Sequence, residues 1–321
     1  MATALFDNAM FDNATTGRVF LVAKASLANA SEISALYGNN YPDGTPVVYT
    51  TIKLALAQCV ASRGDLIIVA PGHTETLAAA TSLALNVAGV TIVGVGRGGL
   101  RPTITYGTGN TDNIPVTAAN ITVKNILFVG NFLSIASAFT VTGTALAPDF
   151  ALINCEFRET SSVLGFLSIF TSNSTANNAD GLRIVGCRWY GQAATTPGPL
   201  VRMLGTNDRV TITDNFIVRT GSTAVAHIMS SAALVSTNLE IARNMVFSNV
   251  TDSSGAAGGL LFSTTSTTDT GMVHDNYVKA LDTAAEVMIS APGSLLGEFN
   301  NLYDGDVDKS GFVSPAIGST A

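Results

Sequence analysis

Short stretches of this chain alternate apolar and polar residues with a period of two, and one such stretch recurs. In Val210-Thr211-Ile212-Thr213-Asp214-Asn215-Phe216-Ile217-Val218, the apolar residues Val210, Ile212 and Ile217 hold fixed offsets from Asn215. The same frame fits Phe150, Leu152, Cys155 and Phe157, then Leu182, Ile184, Cys187 and Trp189, then Leu239, Ile241, Asn244 and Val246. Gly271 to Val278 keeps most of it around Asn276, and Leu295 to Leu302 is a degraded copy around Asn300. Ile121 to Leu127 reads as a copy one residue shorter, centred on Asn125. The central positions are therefore Asn125, Cys155, Cys187, Asn215, Asn244, Asn276 and Asn300.

The copies recur about every thirty residues, a drifting period that marks a repeat architecture in which each unit buries its apolar face against its neighbours. β-Branched and aromatic residues between Gly/Asn/Ser/Thr-rich breaks make the unit strand-like, and no long helical pattern separates the copies. A unit of that length holds about three short strands with their turns. Stacked coils of this kind form a parallel β-helix, with the central positions in one column about 4.8 Å apart. Asn suits such a column because it can bond to the Asn above and to turn backbone, and Cys suits it as a small buried group.

Other elements fall around this core. Val19 to Val22 reads as a short strand and Tyr41-Pro42-Asp43-Gly44 as a turn. Thr50 to Ser62 predicts a helix with an apolar stripe of Ile52, Leu56, Cys59 and Val60, capped by Thr50 or Thr51 and ended by Gly64. It is placed to cover the end of the solenoid, whose open strands invite edge pairing. Asp65 to Val69 and Val87 to Val95 read as strands, followed by a glycine-rich corner from Gly94 to Gly99. No helix pattern follows that corner, so a nucleotide-phosphate loop is rejected. Thr171 to Asp180 and Ser263 to Thr270 read as protruding loops. The expected organisation is an arm and lead-in over 1–49, a capping helix over 50–64, the solenoid over 65–305 and a tail over 306–321.

Composition narrows the function classes. Of 321 residues, 12% are charged and 47% hydrophobic, so Ser, Thr, Asn, Ala and Gly must cover the surface. The net charge of -7, with no run of Lys or Arg, argues against a nucleic-acid partner. No apolar run is long enough to span a membrane, and no signal peptide is visible at the N-terminus. The expected site of synthesis is therefore the cytoplasm. Cys59, Cys155 and Cys187 are too few and too scattered for a disulfide framework.

The helix leading into Gly64-Asp65-Leu66-Ile67-Ile68-Val69-Ala70-Pro71-Gly72-His73-Thr74-Glu75, the following Val90 to Gly96 and the coils of the Val210 to Val218 type carry a resemblance. Over residues 50 to 305 the chain resembles the right-handed parallel β-helix, or pectin-lyase-like, superfamily. The resemblance implies an all-β, right-handed solenoid with an N-terminal capping α-helix. It does not imply one activity, because that superfamily includes pectate lyases, polygalacturonases, pectin esterases, phage tailspikes and non-enzymatic virion proteins. The overall pattern looks most like phage-encoded solenoids.

Candidate chemistry is sparse. A polysaccharide hydrolase needs carboxylates converging on one face. The acids Asp214 and Asp275 are two coils apart with Arg243 between them, which reads as a surface charge ladder. His73, His227 and His274 lack metal-ligand spacing. His274 and Asp275, as neighbouring strand residues, are expected on opposite faces. Asp304, Asp306 and Asp308 form a candidate calcium loop, although Lys309 replaces the expected Gly and no Glu closes it; no other cofactor is indicated. The tandem Leu5-Phe6-Asp7-Asn8-Ala9 and Met10-Phe11-Asp12-Asn13-Ala14 reads as an arm whose Phe6, Asn8, Phe11 and Asn13 dock on a partner. The expected function is a non-enzymatic phage virion protein. It would be a homotrimer that decorates or cements the capsid surface through this arm, with the major capsid protein as partner. The competing reading is a tailspike or tail fibre that binds or depolymerises polysaccharide.

Overall fold

In the computed structural model of the chain, the described residues are 17–27, 31–32, 35, 40–77, 82–161, 163–191, 198–221, 226–231, 235–250, 262–264, 266, 268–280, 289–290, 294–298 and 300–303. Their strands form three long sheets. An eleven-stranded sheet runs from Val48–Tyr49 and Val19–Val22 through Leu66–Val69, Thr91–Gly94 and Thr122–Lys124 to Ser294–Glu298. A nine-stranded sheet runs from Thr74–Thr76 to Asn301–Tyr303, and a seven-stranded sheet from Ile114–Pro115 to Ile289–Ser290. Neighbours within each long sheet lie one coil apart and pair in parallel, as Leu152 does with Val123 and Ile184, and Phe157 with Phe128 and Trp189. The chain is a parallel β-helix.

The period-two pattern is the cause. In each strand one set of alternate residues points into the bore. Ile92, Val123, Leu152, Ile184, Ile212, Ile241 and Val273 stack along the first sheet. Ile104, Phe128, Phe157, Trp189, Ile217, Val246 and Val278 do so along the second. Phe128 and Phe157 lie 5.1 Å apart and nearly parallel, the offset stacking that register imposes on like rings one coil apart. The third sheet contributes Ile114, Phe139, Phe170, Val201, Met229 and Phe262.

Between the first and second sheets the chain turns through one residue with positive φ: Asn125, Asn154, Gly186, Asp214, Arg243 and Asp275. Asn, Asp and Gly enter the left-handed region most readily, so the turn chemistry is written in those residue types, with Arg243 as the exception. The next residue points inward and forms the column. Lys124 pairs with Ile153 and Leu127 with Glu156, so Ile126 stands opposite Cys155. The column therefore runs Ile126, Cys155, Cys187, Asn215, Asn244, Asn276 and Asn300. Asn125 is not in it. Centring the shorter copy on Asn125 shifted the register by one residue, which in a strand exchanges inside for outside.

Three expected boundaries also move. Val19–Val22 pairs with Leu66–Val69, so the first sheet begins well before residue 65. The segment around Val47 and Val48 packs with Leu21, Leu66, Ile68 and Val93 on the outside of that sheet, which buries Leu66–Val69 on both faces. The helix spans only Ile52–Leu56, with Thr51 Oγ1 accepting from Leu54 N–H. It stops because the Val60 N–H goes to Asp65 Oδ2 at 2.7 Å, a side-chain acceptor competing with the next helical turn. Ile52, Ala55 and Leu56 are buried against the first strands. Finally, Thr171, Ser263 and Thr264, expected at the starts of protruding loops, belong to the third-sheet strands Phe170–Thr171 and Phe262–Thr264.

Candidate functional site

The glycine-rich corner departs from the two-residue turns that follow it. Val95 to Pro102 join Thr91–Gly94 to Thr103–Tyr106, with a short 3-10 turn at Gly98–Leu100. Gly96 has φ 117°, and a Cβ there would lie 2.4 Å from Leu100 O, so only glycine closes this corner. Asn125 Nδ2 donates to Gly94 O at 2.7 Å and Gly96 O at 3.1 Å, fastening the corner to the next coil. The corner overhangs an open groove of about 420 Å³, lined by Arg97, Arg101, Asn125, Asn154, Gly186 and Arg188 among others. Arg101 donates to Glu156 Oε2 at 2.7 Å, and Arg158 binds the other oxygen of the same carboxylate. Arg188 is the register partner of Glu156 on the next coil. Arginines without clustering in sequence are thus gathered by coil stacking. The signals available in sequence were the basic ends of the corner, Arg97 and Arg101, and the aligned positions Glu156 and Arg188.

Several carboxylates elsewhere are engaged by hydrogen-bond donors. Asp214 takes Arg243 Nε at 2.9 Å and a second guanidinium nitrogen at 3.0 Å, so this part of the charge ladder is a fork-to-fork pair. The Arg243 hydrogen bonds hold the Asp214 carboxyl below its usual range. Asp180 and Asp208 meet on successive coils, where the Asp208 N–H donates to Asp180 Oδ1 at 2.9 Å. Asp208 accepts from Thr237 Oγ1 at 2.6 Å and Asn238 Nδ2 at 2.7 Å, which lower its pKa. Asp65 is buried, which pushes its carboxyl upward. Arg63 and the N–H groups of Val60 and Arg18 outweigh that and hold it below the ordinary value.

The histidines are placed by similar bonds. His73 Nδ1 accepts from the Lys24 N–H at 3.0 Å, so Nε2 carries the proton and donates to Glu75 Oε1 at 2.7 Å. Glu75 Oε1 also accepts the Ile52 N–H at 2.6 Å. This pair resembles a catalytic dyad in composition, yet both ring nitrogens are committed, and it ties the first strand, the helix and the second sheet together. His227 is buried. His274 Nδ1 lies 2.8 Å from Asp275 Oδ2, contrary to the expectation of opposite faces. Asp275 has φ 52° and belongs to the turn, where strand alternation no longer applies.

Asn215, Asn244, Asn276 and Asn300 form a continuous ladder of amide bonds, with Asn215 Nδ2 to Asn244 Oδ1 at 2.9 Å, Asn244 Nδ2 to Asn276 Oδ1 at 2.9 Å and Asn276 Nδ2 to Asn300 Oδ1 at 3.0 Å. Each also donates to a strand carbonyl, Ile184, Ile212, Ile241 and Val273 respectively. The free thiols of Cys155 and Cys187 face the equivalent carbonyls of Val123 and Leu152 at 3.5 Å, as weaker donors in the same column. Burial pushes the Cys187 thiol well above its usual range. In the bore, Arg219 stacks over the Trp189 ring at 4.0 Å, and burial draws its guanidinium down to about 10. Phe6, Asn8, Phe11 and Asn13, and Asp304, Asp306 and Asp308, lie outside the described residues. Among the described residues no group of three or more His, Cys, Asp or Glu is placed to hold a metal ion, and no helix is long and apolar enough to cross a membrane.

The sequence matches no protein-family model, and no curated protein matches it. Among solved structures the chain is similar to a rhamnogalacturonan lyase at 12% identity, covering 92% of this chain and 89% of the other with a TM-score of 0.42. It is similar to the pectin methylesterase of Aspergillus niger, in deglycosylated form, at 15% identity, covering 90% and 86% with a TM-score of 0.46. A third is pectate lyase Pel9A, at 13% identity, covering 86% and 78% with a TM-score of 0.41. These pectin-active proteins share the parallel β-helix. At such distance the likeness does not extend to activity.

Proposed function

We propose that this chain is a non-catalytic structural protein of a phage particle, a decoration or cement protein of the capsid surface. The observation that carries the reading is how the described acids are held: Asp65 by Arg63, Val60 and Arg18, Asp208 by Thr237 and Asn238, and Asp214 by Arg243. Glycoside hydrolysis through a carboxylic acid requires one group held protonated by a raised pKa. Asp43, Asp65, Asp208 and Asp214 are each displaced downward, with hydrogen-bond donors holding the charged form. Acids used in this way fasten turns and neighbouring coils.

The outer face of the nine-stranded sheet supports the assembly part of the proposal. Tyr190, Phe216, Phe247 and Tyr277 follow one another along the coils with ring centroids 5.9, 5.5 and 6.2 Å apart. Val218 and the exposed Met245 lie beside them. Lys279 pairs with Phe247 in register, and exposed Asp275 stands at the adjacent turn, so the row carries charges of both signs at its end. We assign this face to packing between copies of the chain in a homotrimer, where aromatic rows supply most of the association energy. The arm with Phe6 and Phe11 is proposed to dock on the major capsid protein. Incubation of the purified chain with host-surface polysaccharide tests the non-catalytic reading: no reducing or unsaturated ends are expected, and their release would overturn it.

A further inference from the structure

The groove under the glycine-rich corner is not explained by a structural role. Its lining includes three arginines on a chain of net charge -7. Two of them, Arg97 and Arg188, are exposed and make no ion pair or side-chain hydrogen bond among the described residues. The third, Arg101, spends one guanidinium nitrogen on Glu156, while its Nε is buried and has no partner among the described residues. Glu156, on the next strand position after the groove, is already bridged by Arg101 and Arg158. An open groove presenting two exposed guanidinium groups without a partner among the described residues, beside Arg101, is the arrangement that an arriving oxyanion completes. The walls fit that chemistry. Asn125 Nδ2 is committed to holding the corner in place, so the corner is preorganised.

From this arrangement we infer that the groove between the Gly96–Arg101 corner and the turns at Asn125, Asn154 and Gly186 is a binding site for a small organic polyanion, its oxyanion groups gripped by Arg97, Arg101 and Arg188. A volume of about 420 Å³ is larger than one inorganic oxyanion and falls in the range of small-molecule sites. The charges therefore belong on a carbon scaffold, with Asn154 beside it. Three guanidinium groups from two coils, Arg97 and Arg101 on the corner and Arg188 on a later coil, select a ligand with more than one anionic group. The inference goes beyond the proposed particle role and stands or falls separately from it, since neither trimer formation nor capsid attachment enters the argument.

Calorimetric titration of the full chain, well below its melting transition, with citrate and with inorganic phosphate at an ionic strength fixed by sodium chloride tests the site. Citrate represents the organic polyanion and phosphate the bare oxyanion. Saturable binding of both is expected, citrate the tighter. In the double variant Arg97→Ala/Arg188→Ala, citrate affinity should fall by about tenfold or more, which corresponds to about 1.4 kcal/mol. Neither residue holds another side chain among the described residues, so the variant should melt as the parent does in sodium chloride. The conservative variant Arg97→Lys/Arg188→Lys should keep part of the affinity and guards against a folding artefact. Absence of saturable binding, phosphate binding as tightly as citrate, or undiminished citrate binding by the double alanine variant would overturn the proposal.

Discussion

Asn215 and Asn244 share two bonds across one coil spacing: Asn244 Oδ1 accepts the Asn215 backbone N–H at 3.1 Å and the Asn215 side-chain Nδ2 at 2.9 Å. One side-chain oxygen thus closes both the turn and the ladder. Replacing Asn244 by Ala removes that acceptor and also the donor to Ile212 O, stranding buried polar groups on two coils. Urea unfolding should show Asn244→Ala destabilised by about 2–4 kcal/mol. A loss below about 0.5 kcal/mol would mean that water or backbone rearrangement satisfies the column, within the scatter of surface substitutions.

Close backbone approach sets a second expectation. Gly271 has φ 131°, and a Cβ there would lie 2.2 Å from Leu239 O, whereas a Cβ on Gly99 meets nothing within 4 Å. Gly271→Ala should cost about 3 kcal/mol or more and Gly99→Ala no more than about 0.5 kcal/mol, read from thermal melts of the two variants. Equal costs would contradict the packing of these coils.

Asp65 provides a pH signature. Its carboxylate is buried and receives N–H groups from Val60, Arg18 and Arg63, and its folded pKa lies below the ordinary 3.8. A depressed carboxyl pKa contributes stability that is complete above the unfolded value and is lost as pH falls through the folded one. Stability should therefore decline on acidification below about pH 4, the ordinary aspartate range. Asp65→Asn should cost about 2–4 kcal/mol at neutral pH and flatten that acid slope. An unchanged slope would place the acid sensitivity elsewhere.

Much of the fold was legible because its causes are local and periodic. Strand alternation around Ile184, Ile212 and Ile241 names the bore, and the Asn residues name the column. Asn125 was misplaced because turn and column both favour Asn, so composition alone cannot set a register that strand pairing decides. The third sheet was hard to see because strands such as Phe139–Thr140 and Phe170–Thr171 have two residues, too few for any period. The groove was hidden for another reason. Arg101 and Glu156 are 55 residues apart in sequence and meet only when coils stack. The His274–Asp275 contact depends on one left-handed residue, which an alternation rule cannot anticipate.

The aromatic row gives an assembly prediction. Phe247 lies between Phe216 and Tyr277, 5.5 and 6.2 Å from their rings, on the outer face. Phe247→Lys places a charge in the proposed interface beside Lys279 while leaving the bore untouched. Light scattering at micromolar concentration should show a trimer for the parent and a monomer for the variant, both with the same β-rich circular dichroism. A parent that is already a stable monomer would remove the trimer from the account.

The most direct test of the particle role is the copy number of this chain in purified phage particles, determined by quantitative mass spectrometry for the parent and for a deletion of residues 2–16. The account predicts hundreds of copies per particle, as capsid repetition implies, and their loss on deletion. A handful of copies confined to the tail tip, or no copies at all, would contradict it.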